Sequence, residues 1–477
     1  MKESILVVDC GGTNTKILLF DMQGNKLGMY KLSTKRIEKD GMYEMDLVQF
    51  QKDIQKGIQE VSSIGPICAA TCVGHGKGVY LLDKKGRIFR NAILSMDQRA
   101  NSLCEKLKEH EDKIQPISHQ KIMSGQAPVL LKWLKENEIE TYQNIGYVLS
   151  CKDFIRYILT GEIYQEIGDA SSNNLLNLET KQYDKQLFNF FGINEMFECM
   201  PPLAKSEKAC GKMRQEFGLG NNIPVYAGLF DVHASALSMG ILHTTNIGIT
   251  AGTWSVNVMV DKNLENKDKN SMTSLYLNDT YLYEASSPTS AGNLDVFMHQ
   301  WCSELDYTHL NQYLEKVSSK DCHVLFTPFL YGNYGTDHAR SSFIGLRSDT
   351  SKLEVLQAIC EGVVFSHKYH LETLGYEDKD YICLSGGVTY SKSWIQMFAN
   401  ILEKTIYTYQ EKELSALGGA ILVAYAQKKY PSLQEAFLQM SKKDTVYTPT
   451  VEAKFYRQKY AAYKYLLREL SHLWDEI

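Results

Sequence analysis

The chain has 477 residues, of which 44% are hydrophobic and 22% are charged, and its formal net charge is −5. A charge this small excludes the strongly basic surface with which proteins bind nucleic acid or an anionic membrane, and no stretch approaches the roughly 20 apolar residues of a membrane-spanning helix. The first residues, "MKESILVVDC", enter a strand at once and lack the shape of a signal peptide. We therefore expect a cytoplasmic enzyme with no nucleic-acid or membrane partner, whose length requires two domains or one large α/β body.

Three extended segments open the chain, Ile5 to Asp9, Thr15 to Phe20 and Lys26 to Leu32, and they predict an antiparallel meander. The turn after the first segment reads "DCGGTN", an acid followed by two glycines and a threonine. Its glycines either permit a positive φ or let the backbone N–H groups approach a phosphate. The flanking sequence alone leaves both interpretations open.

The next segments predict a helix from Asp46 to Val61, a buried strand that runs into the glycine-rich loop "GHGKG", and a small hairpin that ends in "SMDQRA". Residues 101–202 are mostly helical in pattern. Near Ile223 the stretch "IPVYAGLFDVHASALSMGI" predicts a strand, a break at Gly228 and a helix. Asp231 stands at the junction of that strand and helix, where a carboxylate would cap the helix N-terminus in any protein.

An internal repeat links the two halves of the chain. "GGTNTKILLFD" (Gly11 to Asp21) and "AGTWSVNVMVD" (Ala251 to Asp261) align without a gap, 240 residues apart. Such self-similarity indicates one structural element used twice, although a chance match is an alternative. We predict a first domain over residues 1–243 and a second over residues 244–477. Two facing glycine–threonine turns could hold one polyphosphate between them.

Two further glycine pairs lie in the last third of the chain. "YICLSGGVTYSKSWIQMFAN" predicts a strand, the pair Gly386–Gly387 and a helix. "ELSALGGAILVAYAQ" predicts a last helix, in which Gly418 and Gly419 permit close packing on a sheet or on a flat ligand.

Eleven cysteines are scattered along the chain, and Cys68 and Cys72 are the only close pair. No second pair stands at the spacing of a zinc site. We expect buried free thiols that pack as small apolar side chains in a reducing compartment.

Seven motifs, in this order, resemble the FGGY family of carbohydrate kinases: "DCGGTNTK", "GHGKG", "SMDQRA", "AGLFDVHASAL", "GITAGTWSV", "LSGGVTYSKSWIQMFAN" and "ELSALGGAILVAYA". The "GHG", "SMDQRA" and "GTWSVN" versions look most similar to the ketopentose branch, which includes xylulose-type kinases. The resemblance implies an α/β fold of two ribonuclease-H-like domains of the actin and hexokinase type, each with a five-stranded mixed sheet, and a deep cleft between them.

The resemblance also implies how ATP and Mg²⁺ bind. The chain lacks the lysine-containing P-loop and the protein-kinase motifs, so these two mechanisms are disfavoured. Asp9 and Asp231 would hold the Mg²⁺ that accompanies ATP, largely through water. Lys16 is either a cleft residue or an ordinary surface lysine. The implied ATP-binding residues are Gly11, Gly12, Thr13 and Asn14 in the first turn, Gly252 and Thr253 in the second, and Gly386, Gly387 and Asn400 at the adenine end.

In this family the aspartate at the position of Asp231 is the general base, which takes the proton of the attacking sugar hydroxyl. The implied sugar-binding residues are His75, Gly76, Asp97, Arg99 and Asp231. Two alternatives remain open, since Asp97 and Arg99 also suit a structural ion pair and His75 also suits a loop histidine with internal partners. Val232 departs from the small or polar residue that usually follows the base, which weakens any inference about the sugar.

The function predicted from the resemblance is transfer of the γ-phosphoryl group of ATP to a ketopentose of the xylulose type. Within kinases, the alternative acceptors are ribulose, erythritol, glycerol and gluconate. An actin- or chaperone-like ATPase without a sugar acceptor is the alternative from another class. A homodimer is a further expectation, although no stripe in the sequence identifies an interface.

Overall fold

A computed structural model describes residues 3–12, 14–33, 35–219, 222–265, 271–332, 338–474 and 476. Thr13, one of the predicted ATP-binding residues, lies outside the described residues. The predicted domain boundary falls in residues 239–245, between the last helix of the first half and the first strand of the second.

The first half alternates short strands with helices around one large sheet. Its strands are β1 (Ser4–Cys10), β2 (Asn14–Asp21), β3 (Lys26–Ser33), β4 (Ile37–Lys39), β5 (Met42–Met45), β6 (Ile67–Gly74), β7 (Tyr80–Asp83), β8 (Ala92–Ile93), β9 (Ile145–Leu149), β10 (Gln165–Glu166), β11 (Leu176–Asn177), β12 (Gln182–Tyr183), β13 (Leu203–Ala204), β14 (Ala209–Lys212) and β15 (Pro224–Phe230). Its α-helices are α1 (Leu47–Ser62), α2 (Asn101–Lys108), α3 (Gln115–Ser118), α4 (Ala127–Asn137), α5 (Ile139–Asn144), α6 (Cys151–Thr160), α7 (Ile167–Ser171), α8 (Lys185–Phe191) and α9 (Asp231–Ser238).

The second half repeats this plan. Its strands are β16 (Asn246–Ala251), β17 (Ser255–Asp261), β18 (Met272–Leu275), β19 (Tyr281–Ser287), β20 (Leu325–Thr327), β21 (Ser342–Ile344), β22 (Tyr381–Ser385), β23 (Ile406–Tyr409) and β24 (Lys443–Tyr447). Its α-helices are α10 (Gly292–Gln300), α11 (Tyr307–Leu314), α12 (Lys352–Leu374), α13 (Lys392–Leu402), α14 (Leu414–Ala426), α15 (Leu433–Met440) and α16 (Ala453–Trp474).

The two large sheets share one topology. The first has the order β14-β15-β6-β1-β2-β3 and the second β18-β19-β17-β16-β22-β23-β24. In both, a central strand is antiparallel to the next strand in the chain and parallel to its other neighbour: β1 pairs with β2 and β6, and β16 pairs with β17 and β22. The repeat in the sequence therefore marks the same β-turn-β unit at the same place in both sheets.

The sheets are larger than the five strands implied by the resemblance. The shared five are β3-β2-β1-β6-β15 and β19-β17-β16-β22-β23. An antiparallel edge strand, β14, lengthens the first sheet, and β18 and β24 do so at the two edges of the second. The prediction of five strands was wrong because short edge strands carry no glycine motif that a sequence resemblance could transfer.

Local sequence explains where the key elements begin and end. The opening meander is confirmed, and the carboxylate of Asp46 accepts hydrogen bonds from the backbone of Val48 and Gln49 at the start of α1. The predicted break at Gly228 was wrong, because β15 continues to Phe230. Gly228 has a φ of +84° and lies at a shift in the register between β15 and β6, so it forms a bulge inside the strand.

Two helices, α9 and α14, lie between the sheets. A Cβ atom on Gly418 would lie 1.9 Å from the backbone oxygen of Ala234, and one on Gly419 would lie 2.8 Å from a side-chain carbon of Val73. Both glycines therefore serve close packing, Gly418 against α9 and Gly419 against β6. None of the described helices is long and apolar enough to cross a membrane.

Candidate active site

The carboxylates of Asp9 and Asp231 face one cavity of about 270 Å³, which we call the carboxylate cavity. Asp9 is the next-to-last residue of β1, and Asp231 is the first residue of α9. Gly11, Asn14 and Lys16 also line this cavity. The turn between β1 and β2 is closed by a 3.0 Å hydrogen bond from the backbone N–H of Gly11 to the carbonyl of Asn14. The structure therefore brings Asp9 and Asp231 to the same cavity as the described residues of the first turn, Gly11 and Asn14.

Burial raises the pKa of both carboxyl groups, to about 8 for Asp231 and to about 6 for Asp9. The negative charge of Asp9 adds to the effect of burial on Asp231. For Asp9, a hydrogen bond from Ser415 and the charge of Lys16 offset part of the effect of burial. Two acids that disfavour their charged forms in the same cavity are able to accept a proton or share a cation near neutral pH.

The N-terminus of α14 contacts the first turn from the other half of the chain. The Ser415 hydroxyl donates a hydrogen bond to Asp9, and Lys16 forms an ion pair with Glu413. Lys16 is therefore a cleft residue and not an ordinary surface lysine. Because α9 and α14 both begin beside this cavity, the positive ends of two helix dipoles favour negative charge there.

A second cavity, of about 550 Å³, lies beside the second glycine–threonine turn, and we call it the domain-2 cavity. Gly252 and Thr253 form one wall, and their turn is closed by a 3.2 Å hydrogen bond from Gly252 N–H to the carbonyl of Trp254. The other walls are mostly apolar or aromatic, and Asp295, Asn311 and Ser391 are their polar side chains. The apolar and aromatic side chains include Leu294, Leu310, Trp394 and Tyr307.

A third cavity, of about 230 Å³, shares lining residues with each of the other two, and we call it the cleft cavity. It shares Lys16 with the carboxylate cavity and Gly387 with the domain-2 cavity. Gly386 also lines it, with a φ of +93°, and a Cβ atom there would lie 2.4 Å from the carbonyl oxygen of Ala251. The third glycine pair therefore allows β22 to pass closely by the end of β16, where the second turn begins.

Asn400 lies elsewhere. Its side-chain oxygen accepts hydrogen bonds from the backbone N–H (2.8 Å) and hydroxyl (3.1 Å) of Thr450 and from Gln396 (3.2 Å). Asn400 and Gln396 do share one face of α13, as their spacing predicts, but that face packs against residues 448–450. It lines none of the three cavities described above.

His75 lies in the loop after β6 and is buried. Its Nδ1 lies 3.1 Å from the carbonyl oxygen of Gly76 and its Nε2 lies 3.1 Å from the hydroxyl of Tyr80. Burial lowers the pKa of His75, so its imidazole is neutral at pH 7. The charge of Asp169 raises the pKa of both His75 and Asp231, which places this carboxylate within electrostatic reach of both.

Asp97 and Arg99 form a buried ion pair, with 2.8 Å between the guanidinium Nε and the carboxylate. Arg99 also contacts Glu44 at 2.8 Å, and Asp97 accepts a 2.7 Å hydrogen bond from the backbone N–H of Tyr43. These contacts tie the "SMDQRA" segment to the strand β5 and its preceding turn. The described contacts are therefore those of a structural ion pair, which was the alternative to sugar binding for Asp97 and Arg99.

Models of both halves of one enzyme family match the chain. The N-terminal domain of the FGGY family of carbohydrate kinases matches residues 4–238, and the C-terminal domain matches residues 247–427. This chain belongs to the FGGY family of carbohydrate kinases. It is therefore a phosphotransferase that uses ATP and acts on a small carbohydrate.

Individual relatives agree with this placement. The chain is 31% identical to the L-xylulose/3-keto-L-gulonate kinase of Escherichia coli K12, over 99% of this chain and 98% of that protein. Two crystal structures from Lactobacillus acidophilus have the same fold, each with a TM-score of 0.93 and 20% identity: a ligand-bound xylulose kinase (99% of both chains covered) and a gluconate kinase (100% of both). Because kinases named for two different substrates share this fold, the fold alone does not identify the sugar.

The sequence reading missed several residues of this kinase that surround the cavities. Ser415 and Glu413 belong to the motif "ELSALGGAILVAYA", whose glycines indicated close packing and gave no sign of a role for the two polar residues. Lys152 and Asp169, which are fully buried and line none of the three cavities, carry no glycine signal at all, although the charge of Asp169 acts on both His75 and Asp231. Trp394 stood within a quoted motif, and only the fold shows that its ring lines a cavity.

Proposed function

We propose that this kinase transfers the γ-phosphoryl group of ATP to a hydroxyl of a ketopentose of the L-xylulose type, with Asp231 as the general base. The observation that carries the proposal is the placement of Asp231. It shares the carboxylate cavity with Asp9, and the cleft cavity has lining residues in common with both this cavity and the mostly apolar domain-2 cavity. The name of the E. coli relative supports the choice of sugar.

The three cavities suit the shape of ATP. An apolar pocket with a few polar groups is the usual environment of a nucleotide base, which favours the domain-2 cavity for adenine. A Cβ atom on Gly12, Gly252 or Gly387 would meet nothing within 4 Å, so the backbone of each turn faces open space that a phosphate can approach. Gly11, Asn14, Thr253 and Gly386 complete this set, and Asn311 takes the place that the sequence reading gave to Asn400.

The residues present also fit Mg²⁺. Asp9 and Asp231 offer oxygen ligands in one cavity, and because burial raises the pKa of both carboxyl groups, a bound cation there would stabilise their charged forms. Mg²⁺ bound with ATP would neutralise charge on the phosphates. Asp9 and Asp231 would hold it largely through water.

Asp231 moves the proton. As the sugar oxygen forms its bond to the γ-phosphorus, the bond from that phosphorus to the departing oxygen of ADP breaks, and the hydroxyl proton passes to the Asp231 carboxylate. This step requires the charged form of Asp231, which burial disfavours, since it raises the pKa to about 8. The partial positive charge of the α9 N-terminus and a bound Mg²⁺ would both favour the charged form. A positioned base of this kind contributes about 10²–10⁴-fold to the rate.

His75 and Gly76 supply the sugar side of the proposal, because their loop follows β6 next to the first turn. Gly76 is held close to Phe230, since a Cβ atom there would lie 2.6 Å from that ring. Phe230 directly precedes Asp231, so the loop that contains Gly76 lies beside the proposed base. Asp97 and Arg99, predicted as sugar ligands, are better explained as the ion pair that positions the neighbouring segment.

A coupled assay of ADP release over ketopentoses, polyols and aldonates tests the proposal. We expect the highest kcat/KM with L-xylulose. The oxidised sugar acid 3-keto-L-gulonate is the second candidate, because it appears in the name of the E. coli relative. ADP release that does not depend on any sugar would instead support the ATPase alternative.

The cytoplasmic location and the homodimer stay predictions. All eleven cysteines are free thiols, which fits a reducing compartment. Light scattering of the purified chain tests the dimer.

A further inference from the structure

Three side chains from distant parts of the sequence meet behind the first glycine turn. Cys10 is the last residue of β1, His75 follows β6, and Cys151 is the first residue of α6. One ligand atom from each, the two sulfurs and a ring nitrogen, lies within 4.8 Å of the other two. All three side chains are buried. We call them the thiol–imidazole cluster.

We propose that the thiol–imidazole cluster binds a soft divalent cation of the zinc type, separately from the Mg²⁺ that accompanies ATP. Thiolate and imidazole ligands select Zn²⁺ and its heavier relatives, whereas Mg²⁺ requires oxygen ligands. Two thiolates and one neutral imidazole around a dication give a complex with no net charge. Such a complex is far less costly to bury than either a free cation or two free thiolates.

The spacing needs only a small contraction. With Zn–S bonds of about 2.3 Å, a tetrahedral zinc holds two sulfurs about 3.8 Å apart. The ligand atoms, at most 4.8 Å apart, would therefore approach one another by about 1 Å or less. Rotation of the two thiol side chains about their Cα–Cβ bonds supplies movement of this size without a change of the backbone.

The surroundings of the cluster suit a metal site. The hydroxyl of Thr15 donates a 3.2 Å hydrogen bond to the sulfur of Cys10, which stabilises a thiolate. The Nδ1 of His75 lies 3.1 Å from the carbonyl of Gly76 and donates to it, which leaves the lone pair on Nε2. The hydroxyl of Tyr80, 3.1 Å from Nε2, donates a hydrogen bond to this lone pair; a bound metal would replace that hydrogen bond, and the Tyr80 oxygen could then occupy the fourth position.

The binding step balances without any change of oxidation state. Two S–H bonds break and two metal–sulfur bonds form, so two protons leave to solvent for each cation bound. The imidazole contributes a lone pair and releases no proton. No oxidant or reductant is consumed.

Occupation of the cluster should inhibit the kinase. Cys10 lies between Asp9 and Gly11, and His75 belongs to the sugar side of the proposed site, so a metal bond to both residues would fix the first turn and remove the imidazole from the sugar. This consequence rests on the proposed function, whereas the binding itself does not.

The test uses the full chain, reduced with a non-thiol reductant and kept in excess Mg²⁺, and titrated with Cd²⁺. We expect one equivalent to give the ultraviolet charge-transfer absorption of a cadmium thiolate, with release of two protons. Co²⁺ should give the visible absorption of a four-coordinate ion in the wild-type protein. A wild-type protein that shows neither absorption would overturn the proposal without any variant.

Variants locate the site. Cys151→Ser and Cys10→Ser should each weaken Cd²⁺ binding by more than about 100-fold, the upper end for loss of a mere outer-shell partner. Cys322→Ser is the matched control, because it removes a buried thiol in the second half of the chain and should leave binding unchanged. Cys151→Ala replaces Cys151→Ser if circular dichroism shows that the serine variant is unfolded. Full Cd²⁺ affinity in a folded Cys151 variant would contradict the proposal.

The kinase assay gives a separate readout. Zn²⁺ should inhibit sugar-dependent ADP release by the wild type and by Cys322→Ser, and should inhibit Cys151→Ser at least about tenfold more weakly. If Cd²⁺ binds at the cluster but no sugar supports ADP release, the proposed function fails and the metal site stands. Zn²⁺ inhibition that is equal in all three proteins would overturn the inhibitory role.

Discussion

Two groups of buried acids in the first half of this kinase differ in the charges of the side chains around them. Asp153, Glu166 and Asp169 surround Lys152, whose ammonium lies 2.9, 3.5 and 3.1 Å from them, and Arg156 adds a second cation at Asp153. We call these five residues the buried charge cluster. In the carboxylate cavity, by contrast, Asp9 and Asp231 face each other's negative charge.

The pKa values record the difference. Burial acts against the charged form in both places, and in the buried charge cluster it still raises the pKa of Glu166. Lys152 and Arg156 nevertheless hold the pKa of Asp153 below its usual range. No comparable compensation reaches Asp231, whose pKa rises to about 8. Buried carboxylates that pair with internal cations serve the fold. Buried carboxylates without such cations tend to bind a proton or a metal ion. Four experiments can break or sharpen this contrast.

The largest effect is expected from Asp231→Asn. Loss of the proton acceptor should lower kcat by about 10²–10⁴-fold while leaving the Kd of ATP and of the sugar within a few fold. Sugar-dependent ADP release and calorimetric binding measure the two effects. Asp378→Asn, at an exposed acid, is the control and should keep full activity. An Asp231→Asn enzyme with near wild-type kcat would remove the general base from the proposal.

Lys152→Met tests the buried charge cluster. Removal of the cation leaves three acids with one partner less, so the free energy of unfolding should fall by about 3–5 kcal/mol. Urea unfolding measures the loss. The control is Lys26→Met, which breaks a 2.8 Å surface pair with Glu411 and should cost less than about 1 kcal/mol. If Lys152→Met kept its stability and lost activity, the buried charge cluster would have a role in catalysis, like the carboxylate cavity, and not a structural one.

The pH dependence of stability tests the raised pKa of Asp231 directly. In the unfolded chain the pKa of Asp231 has its usual value of 3.8, but in the folded protein it is about 8, so between these pH values the folded state binds one more proton. The free energy of unfolding therefore falls as pH rises through this window. Relative to the wild type, Asp231→Asn should gain up to about 1.4 kcal/mol per pH unit from pH 5 to pH 8, and no more above it.

Urea titrations at several pH values, without Mg²⁺, measure this gap, and subtraction of the two proteins cancels the other titrating groups. A gap that does not change with pH would mean that Asp231 is solvated like a surface acid. Addition of Mg²⁺ and ATP should stabilise the wild type more than Asp231→Asn.

The smallest effect is expected at the contact between β16 and β22. Gly386→Ala introduces a Cβ atom 2.4 Å from the carbonyl of Ala251 and forces a positive φ on alanine, which costs about 1–3 kcal/mol. Because that strain falls beside Gly252, KM for ATP should rise about tenfold, with KM for the sugar little changed. Gly65→Ala is the control, since its Cβ would meet nothing within 4 Å. Equal changes in both KM values would mean that this glycine pair has no specific role in nucleotide binding.

Much of the fold could be predicted from the sequence because it follows from local signals. The aligned turns at Gly12 and Gly252 predicted two copies of one sheet unit, and both copies are confirmed. The position of Asp231 followed from an apolar run that changes to helical spacing. Edge strands such as β14 and β24 were missed, because a few half-exposed residues have no distinctive pattern.

The parts of the site that could not be predicted depend on long-range geometry. Ser415 reaches Asp9 from 406 residues away. Periodicity placed Asn400 on one face of a helix but could not show which way that face points. Cys10, His75 and Cys151 meet only because β1 and β6 end, and α6 begins, at the same edge of the first sheet. The identity of the sugar depends on the direction of single hydroxyl groups, which no residue pattern encodes.

The close fit of Gly418 against Ala234 has a mechanical consequence. Asp231 opens one of these two helices and Ser415 lies in the first turn of the other, so the proton acceptor and the residue that holds Asp9 belong to one rigid pair. We expect these two helices to move together, since even one added carbon at position 418 would overlap the backbone of Ala234. The distance between Asp9 and Asp231 would then change little when other parts of the chain move.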